Sequence, residues 1–506
     1  MTATASVDAV QANEAKTRRA FIALFMIEMW ERFGFYGMQI LMVVFAIHYL
    51  GFDDSRANLT WGAFAAMIYL TPVAGGWIGD KVLGTKRTTM LGGVVLAIGY
   101  GMLSVPWDQI VGGNGHGMVF FSMGVIAVGN GLFKANPNNL VAKLYEGNES
   151  KLDGAFTMYY MSINIGAFLS QSLTPIIRVH YGWHWAFLVC CLGLVFGVCQ
   201  FLMQKRYLDH VGSDPDFKPM NMGKLAGVLV ASVVVAFLIG LVVQSTELAS
   251  IVVDIAGIGL AVLFITLMVK ANKPERSGLI AMLILTLQTI LFFIFYQQMS
   301  TSLTLFASNN VDLHLLGYDI PPEQFQVLNP FWIAVMSPVL AWLYASLGKK
   351  GKDPSLAGKY AIGFVLLAIG FFLYAISGNF ANSQGLVSSQ WMVWGYFCQS
   401  VGELLISGLG LGMVARYVAP GLRGLMMGAW LLATGLSQYL GSVVANFASV
   451  PKDITSPLQT LPLYTNLFQV LGWVALGGAI VAIVLVPLLK RLDNHSKEAS
   501  AQWAEQ

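Results

Sequence analysis

Two acids and an arginine stand close together within an apolar stretch near the start of the chain. Residues 28–37 read Glu-Met-Trp-Glu-Arg-Phe-Gly-Phe-Tyr-Gly, inside an apolar run from about residue 21 to residue 47. A helix turns by about 100° per residue, which places Glu28, Glu31 and Arg32 on one face. Charges at membrane depth are costly and usually face a cavity on a substrate or proton path. A structural ion pair is the alternative, but three charges together favour a functional role.

The composition around this cluster is that of a helical membrane protein. The chain has 506 residues, of which 56% are hydrophobic and only 11% are charged. So little charge excludes a water-soluble domain of this size, and a net charge of +3 without a basic patch does not indicate nucleic-acid binding. The cysteines have no metal-ligand spacing and all lie in apolar runs, so we expect neither a metal site nor a disulfide framework. They are Cys190, Cys191, Cys199 and Cys398.

Apolar runs long enough to cross a bilayer predict fourteen transmembrane helices. Their approximate ranges are 20–47, 58–79, 88–105, 117–141, 154–177, 184–204, 222–244, 248–270, 278–307, 328–346, 358–377, 390–415, 423–446 and 464–489. An even number places both termini on one side of the membrane. Lysine and arginine are strongly enriched in the loops on that side, which predicts that both termini are cytoplasmic.

The predicted spans divide into two six-helix bundles. These cover residues 18–206 and 275–492, with cytoplasmic tails at 1–17 and 493–506. Residues 207–274 between them form a polar linker and an inserted two-helix hairpin. We interpret the hairpin as a structural accessory because Asp254 is its only acid well inside an apolar run.

A glycine-rich loop follows the second predicted span. Residues 76–87 read Gly-Trp-Ile-Gly-Asp-Lys-Val-Leu-Gly-Thr-Lys-Arg. A plain basic loop would explain the cations but not the ordered spacing of glycine and aspartate. The segment resembles the loop signature of the major facilitator superfamily. The resemblance implies an all-α polytopic membrane protein whose two six-helix bundles give alternating access to a central site.

Three further segments resemble signatures of one branch of that superfamily, the proton-coupled oligopeptide transporter family. The first is the 28–37 stretch. The others are residues 159–166 (Tyr-Tyr-Met-Ser-Ile-Asn-Ile-Gly) and residues 402–407 (Gly-Glu-Leu-Leu-Ile-Ser). The inserted hairpin is also similar to that of bacterial members, so the resemblance covers nearly the whole chain beyond residue 18. It implies proton-coupled uptake of di- and tripeptides.

The charged residues within the spans suit a peptide with both termini ionised. Arg32 can bind a carboxylate through two parallel hydrogen bonds, and Lys134, the other cation within the spans, adds a mobile point charge. Glu403, in the middle of a late span, can receive the ammonium group. The resemblance implies peptide contacts at six more positions, which are Tyr36, Tyr69, Asn164, Asn329, Ser407 and Trp430.

Other roles remain open for several of these residues. Lys134 and Glu403 can form a bridge that closes a gate in one conformation. Asn164 can be a packing hydrogen bond between helices, worth about 1 kcal/mol. Asn329 directly precedes a proline and can instead cap the helix that starts there.

The same charges predict proton coupling. Glu28, Glu31 and Glu403 outnumber Arg32 and Lys134 by one, so one bound proton makes the set neutral. Moving a neutral site between the two sides of a membrane is less costly than moving a charged one. A peptide carboxylate that takes Arg32 leaves Glu28 or Glu31 without its partner, and that acid then accepts a proton. We therefore expect Glu28, Glu31, Arg32 and Glu403 to couple the flows, with protons as the coupling ion and no cofactor.

The sequence thus predicts a monomeric bacterial inner-membrane symporter for di- and tripeptides. One alternative is proton-coupled transport of another solute, such as nitrate or a peptide-like compound. A second is a channel or a non-transporting receptor. An enzyme is not expected, because the spans hold no nucleophile–base pair and no metal set.

Overall fold

Helices dominate the protein, as the sequence predicts. A computed structural model describes the backbone of residues 2–112, 115–146, 149–315, 317–350, 354–406, 414, 417–451, 454 and 456–504. Within these ranges the only strands are the two of a short antiparallel hairpin, β1 (His314–Leu315) and β2 (Tyr318–Asp319). The all-α prediction is confirmed.

The α-helices are numbered in chain order. They are α1 (Thr2–His48), α2 (Asp54–Leu70), α3 (Pro72–Trp77), α4 (Thr85–Leu103), α5 (Trp107–Val111), α6 (Gly115–Leu144), α7 (Glu149–Tyr181), α8 (Trp183–Gln204), α9 (Met222–Gln244), α10 (Thr246–Lys270), α11 (Lys273–Gln297), α12 (Ser302–Asn310), α13 (Leu328–Lys349), α14 (Leu356–Ser377), α15 (Gln390–Ile406), α16 (Arg423–Ala445) and α17 (Pro457–Ala504).

Each predicted span coincides with helix, although not every one is recognisable by apolarity alone. Among the described residues, nine helical segments are long and apolar enough to cross a membrane. The other predicted spans lie on α1, α4, α7, α15 and α16. In α1 the charges of Glu28, Glu31 and Arg32 interrupt the apolar run. The last part of the predicted span 390–415 falls outside the described residues.

The chain forms two compact units with boundaries unlike those of the predicted bundles. Unit 1 comprises residues 1–41 and 70–244, and unit 2 comprises residues 42–69 and 245–506. The predicted second span is therefore divided, with residues 58–69 in unit 2 and residues 70–79 in unit 1, and the two helices of the accessory hairpin are assigned to different units. The division into two bundles of six helices remains a prediction from the sequence.

In unit 1 the linker after α8 caps the start of α4. The carboxylate of Asp216 accepts hydrogen bonds from the backbone N–H groups of Lys86 (3.1 Å) and Arg87 (3.3 Å). The first N–H groups of a helix have no partner inside it, and negative charge there is favourable. Gly84, just before α4, has a φ of 107°. A Cβ at this position would also collide with Asp216, so both the conformation and the space require glycine.

In unit 2 helix α2 packs closely against α16. A Cβ on Gly62 would lie 2.6 Å from Cβ of Ser442, and one on Gly435 would lie 3.0 Å from the carbonyl oxygen of Ala66. Small residues allow helix backbones to approach in this way within a membrane. At the end of this contact, Asn58 donates a hydrogen bond of 3.1 Å to Asn446.

The predicted span at 278–307 is one crossing with an interrupted helix. Residues 298–301 separate α11 from α12, and Thr301 has φ −120° and ψ −101°. The side chain of Gln298 compensates for the break. It donates to the carbonyl oxygen of Gly441 (2.9 Å) and accepts from Ser302 Oγ (2.6 Å).

Candidate functional site

The acids and the arginine of α1 form one buried cluster in unit 1. Glu28, Glu31 and Arg32 are 5%, 0% and 2% exposed. Arg32 Nε lies 2.5 Å from a carboxylate oxygen of Glu31 and 3.4 Å from one of Glu28. The shared helix face expected from the sequence therefore brings all three side chains into contact.

Helix α7 supports this cluster. The hydroxyl of Tyr159 donates a hydrogen bond of 2.5 Å to the second carboxylate oxygen of Glu28. About two turns further along, Gly166 lies against the backbone of α1, where a Cβ would collide with the carbonyl oxygen of Met29. The glycine permits the close approach that places the tyrosine against the acid.

The guanidinium of Arg32 keeps hydrogen-bonding capacity. Within the described part of the chain, its Nη2 has no partner, nor does the Oε1 oxygen of Glu31. The ring of Phe35 lies 5.1 Å from Arg32 Cζ, so one face of the guanidinium rests on an aromatic ring. A guanidinium has five N–H donors in a fixed plane. Arg32 can therefore bind both of its acids and still donate to a carboxylate.

Two other predicted residues lie near the cluster. Lys134, on α6, is close enough to interact electrostatically with Glu28, Glu31 and Arg32. Tyr36, one turn after Arg32, also interacts with it electrostatically. The structure thus gathers five of the predicted residues in one region of unit 1.

Asn164 makes a local contact. It lies on α7, half-buried, and its amide donates a hydrogen bond of 3.0 Å to the carbonyl oxygen of Tyr160, one turn earlier in the same helix. This bond uses one of its two N–H donors and none of its acceptors. Its predicted role in binding stays a prediction.

Unit 2 holds a second polar group, built around the half-buried Glu403 on α15. The amide of Asn329, on α13, donates to Glu403 Oε2 (2.7 Å) and to Ser400 Oγ (3.1 Å). The alternative that Asn329 caps its helix is wrong, because α13 begins at Leu328 and has no side-chain cap. The asparagine instead fixes the orientation of the acid. Ser407, the remaining predicted residue on this segment, lies outside the described residues.

Two predicted aromatic residues lie on the closely packed pair α2 and α16. Tyr69 is near the end of α2, and its Cβ would be 3.3 Å from a Cβ on Gly435. Trp430, on α16, has a buried indole N–H that finds no acceptor among the described residues. Such an N–H can donate to a polar group that enters this region.

Sequence reasoning missed three members of these clusters. Tyr159 belongs to a segment recognised from its sequence, but no role followed for it there. Ser400 lies one turn before Glu403, which is the only hint of its contact. Tyr100, on α4, is fully buried near Glu31, and its hydroxyl has no partner within the described chain. No pattern in the sequence indicates that α4 delivers a tyrosine to this place.

Comparison with known proteins identifies close relatives along the full length. The model of the PTR2 or POT family matches residues 86–491. The dipeptide and tripeptide permease B of Aliivibrio fischeri is 43% identical over 489 residues, which are 96% of this chain and 98% of the relative. The dipeptide and tripeptide permease A of Salmonella typhimurium is 41% identical over 499 residues, 98% of each chain.

Solved structures agree with these sequence matches. A bacterial homologue of the human drug peptide transporters PepT1 and PepT2 is 48% identical, with a TM-score of 0.84 over 94% of this chain and 99% of its own. A structure described as tetrameric PepTSo2 is 47% identical, with a TM-score of 0.85 over the same shares. These likenesses confirm the predicted major facilitator fold class.

Proposed function

The chain belongs to the POT family, and we propose that it carries di- and tripeptides together with protons across the membrane by alternating access. The curated relatives are named as permeases for dipeptides and tripeptides. The observation that carries the proposal is the buried cluster of Glu28, Glu31 and Arg32. Its arginine is held by two acids and still has donors to offer.

The cluster in unit 1 receives the peptide carboxylate. Arg32 offers the Nη2 donors, and Lys134 adds positive charge from a second helix. A guanidinium binds a carboxylate through two parallel hydrogen bonds, which gives direction as well as affinity.

The group in unit 2 receives the peptide ammonium. Glu403 is oriented by Asn329, which uses one carboxylate oxygen and leaves the other available. A dipeptide or a tripeptide carries both of these ionised ends, and the relatives are named for dipeptides and tripeptides.

Glu28 and Glu31 carry the coupling proton. Both acids depend on one arginine, so a peptide carboxylate that draws Arg32 away leaves excess negative charge in a buried region. Binding one proton removes that charge and makes reorientation less costly. No cofactor other than the proton is proposed.

We place the protein in the bacterial inner membrane, as a monomer with both termini in the cytoplasm. The excess of lysine and arginine in one set of loops supports this orientation. Tetrameric assembly is described for one relative, and a measured mass of the detergent-solubilised protein would decide the state of this chain.

The test is uptake of a labelled dipeptide into proteoliposomes with an inward proton gradient. We expect accumulation that a protonophore abolishes and that unlabelled tripeptides, but not free amino acids, inhibit. Accumulation should be lost in Glu28→Gln and Glu31→Gln. It should remain in Asp254→Asn, which removes an exposed acid from α10.

Two results would contradict the proposal. Folded, inserted protein that accumulates no peptide would point to another solute, and nitrate and peptide-like compounds would be tried next. Retained gradient-driven accumulation in both glutamate variants would refute their role in coupling while leaving peptide transport in place.

A further inference from the structure

A polar cavity lies where the linker crosses the turn before α4. Its volume is about 350 Å³, and residues 80–83, 87, 214, 215, 218–221 and 224 line it. We call it the linker cavity. It lies far along the chain from the charged cluster of α1, and the proposed transport function uses none of its residues.

Four cations line the linker cavity, and the side chains of three of them are unpaired among the described residues. Arg87 donates to the carbonyl oxygens of Pro215 (2.9 Å) and Lys218 (2.6 Å), which fastens the linker to α4. The ammonium groups of Lys81, Lys218 and Lys224 form no ion pair or hydrogen bond with the described residues. Positive charges that line one cavity repel one another, and an anion bound there reduces this repulsion.

The acids in the lining do not neutralise these cations. Asp80 and Asp214 are the two acids of the cavity. Asp80 lies 3.9 Å from Lys143, a cation outside the lining. The nearby carboxylate of Asp216 is already bound to backbone N–H groups. The cavity therefore keeps a net positive charge.

Exposed apolar side chains surround the same region. Trp77, just before the turn, is 64% exposed, and Phe217 and Met222 are 57% and 68% exposed. Helix α9, which starts at the cavity, continues with exposed valines, leucines and a phenylalanine. An anion that also carries acyl chains would satisfy both features, with its charged group among the lysines and its chains along α9.

We propose that the linker cavity binds the phosphate group of an anionic phospholipid. Lysines in membrane loops are common, and in an open loop they would indicate orientation only. Here Asp216 and Arg87 fix the linker to α4, which gathers the lysines of the linker and Lys81 around one cavity. Lysine binds phosphate as a point charge, without demanding one geometry.

The test measures ligand-dependent thermal unfolding of the full chain in a nonionic detergent. The probes are dioctanoyl phosphatidylglycerol, dioctanoyl phosphatidylcholine with the same chains but no net charge, and inorganic phosphate. The cavity variant combines Lys81→Gln, Lys218→Gln and Lys224→Gln. The matched control removes three exposed lysines elsewhere, Lys270→Gln, Lys273→Gln and Lys349→Gln.

We expect phosphatidylglycerol to stabilise the wild type at lower concentration than phosphatidylcholine. Each lysine contributes about fivefold to such binding, so the cavity variant should need at least about tenfold more phosphatidylglycerol, and the control variant should match the wild type. The three single variants are measured alongside, so that a triple variant that fails to fold does not end the test.

Equal responses to the two lipids, or equal losses in the cavity and control variants, would overturn the proposal. So would unchanged affinity in all three single variants. Full protection by inorganic phosphate alone, lost in the cavity variant, would keep the phosphate site but overturn its assignment to a lipid.

Discussion

Replacing Gly166 by alanine tests whether the contact between α7 and α1 maintains the charged cluster. The added Cβ would collide with the carbonyl oxygen of Met29, and it would lie 3.0 Å from Phe33 N and 3.1 Å from Arg32 Cβ. Two of these atoms belong to the backbone of α1 and cannot move away alone. The helices must therefore separate at the level of Arg32.

The cost of this separation can be isolated with a second glycine on the same helix. Overpacking a well-filled interface costs about 1–3 kcal/mol. Alanine stabilises a helix relative to glycine by about 0.5–1 kcal/mol, which offsets part of that cost. A Cβ on Gly154 meets nothing within 4 Å, so Gly154→Ala adds only the stabilisation of the helix by alanine. The two variants should differ in stability by the overpacking cost alone.

Transport should fall as well, because the separation draws Tyr159 away from Glu28. A hydrogen bond to a charged group contributes about 1.5–3 kcal/mol, which corresponds to a loss of about tenfold or more in uptake. The measurements are thermal unfolding in detergent and proton-driven dipeptide uptake at equal amounts of inserted protein. If Gly166→Ala unfolds and transports like Gly154→Ala, the proposed role of this contact is refuted.

Three further predictions concern other contacts. Arg32→Lys keeps the positive charge but loses the planar donors of the guanidinium. The uptake rate at low dipeptide concentration should therefore fall about 10–100-fold. An unchanged rate would exclude paired hydrogen bonds to the peptide. Asn329→Ala leaves Glu403 without its orienting amide, and dipeptide affinity measured by competition should weaken by about tenfold; equal affinity would show that the acid needs no orientation. Asp216→Asn weakens the cap on α4 and should cost about 1 kcal/mol of stability, measured as a lower unfolding temperature. Asp214→Asn, in the same linker but without these hydrogen bonds, should leave the unfolding temperature unchanged.

The positions of the helices follow from the sequence because long apolar runs leave few other structures in a membrane. The residues at which the helices end do not follow from the sequence. Helix α1 begins at Thr2, well before the predicted span at residue 20, since hydropathy marks the membrane boundary and not the end of a helix. The sequence also does not predict the break before α12, because the amide of Gln298 that stabilises the break binds a carbonyl oxygen 143 residues away.

The contacts of the candidate site can also be separated into those that the sequence predicts and those that it does not. Contacts within one helix follow from its period, and so Glu28, Glu31 and Arg32 were expected to meet. Contacts from other helices depend on how the helices pack. The bond from Tyr159 to Glu28 spans 131 residues, and the bond from Asn329 to Glu403 spans 74. Spacing along the chain carries no information on either.

The close packing of α2 against α16 also has a consequence for biosynthesis. Asn58 and its partner Asn446 are separated by 388 residues, and the glycine contacts between the two helices span similar distances. At a synthesis rate of about 5–20 residues per second, α2 waits about 20–80 s before α16 is made. During that time Asn58 lacks Asn446, and the small-residue face of α2 lacks α16. The ribosome completes unit 1 earlier, so a slowly translated or truncated chain prolongs or prevents the assembly of unit 2 at this helix pair.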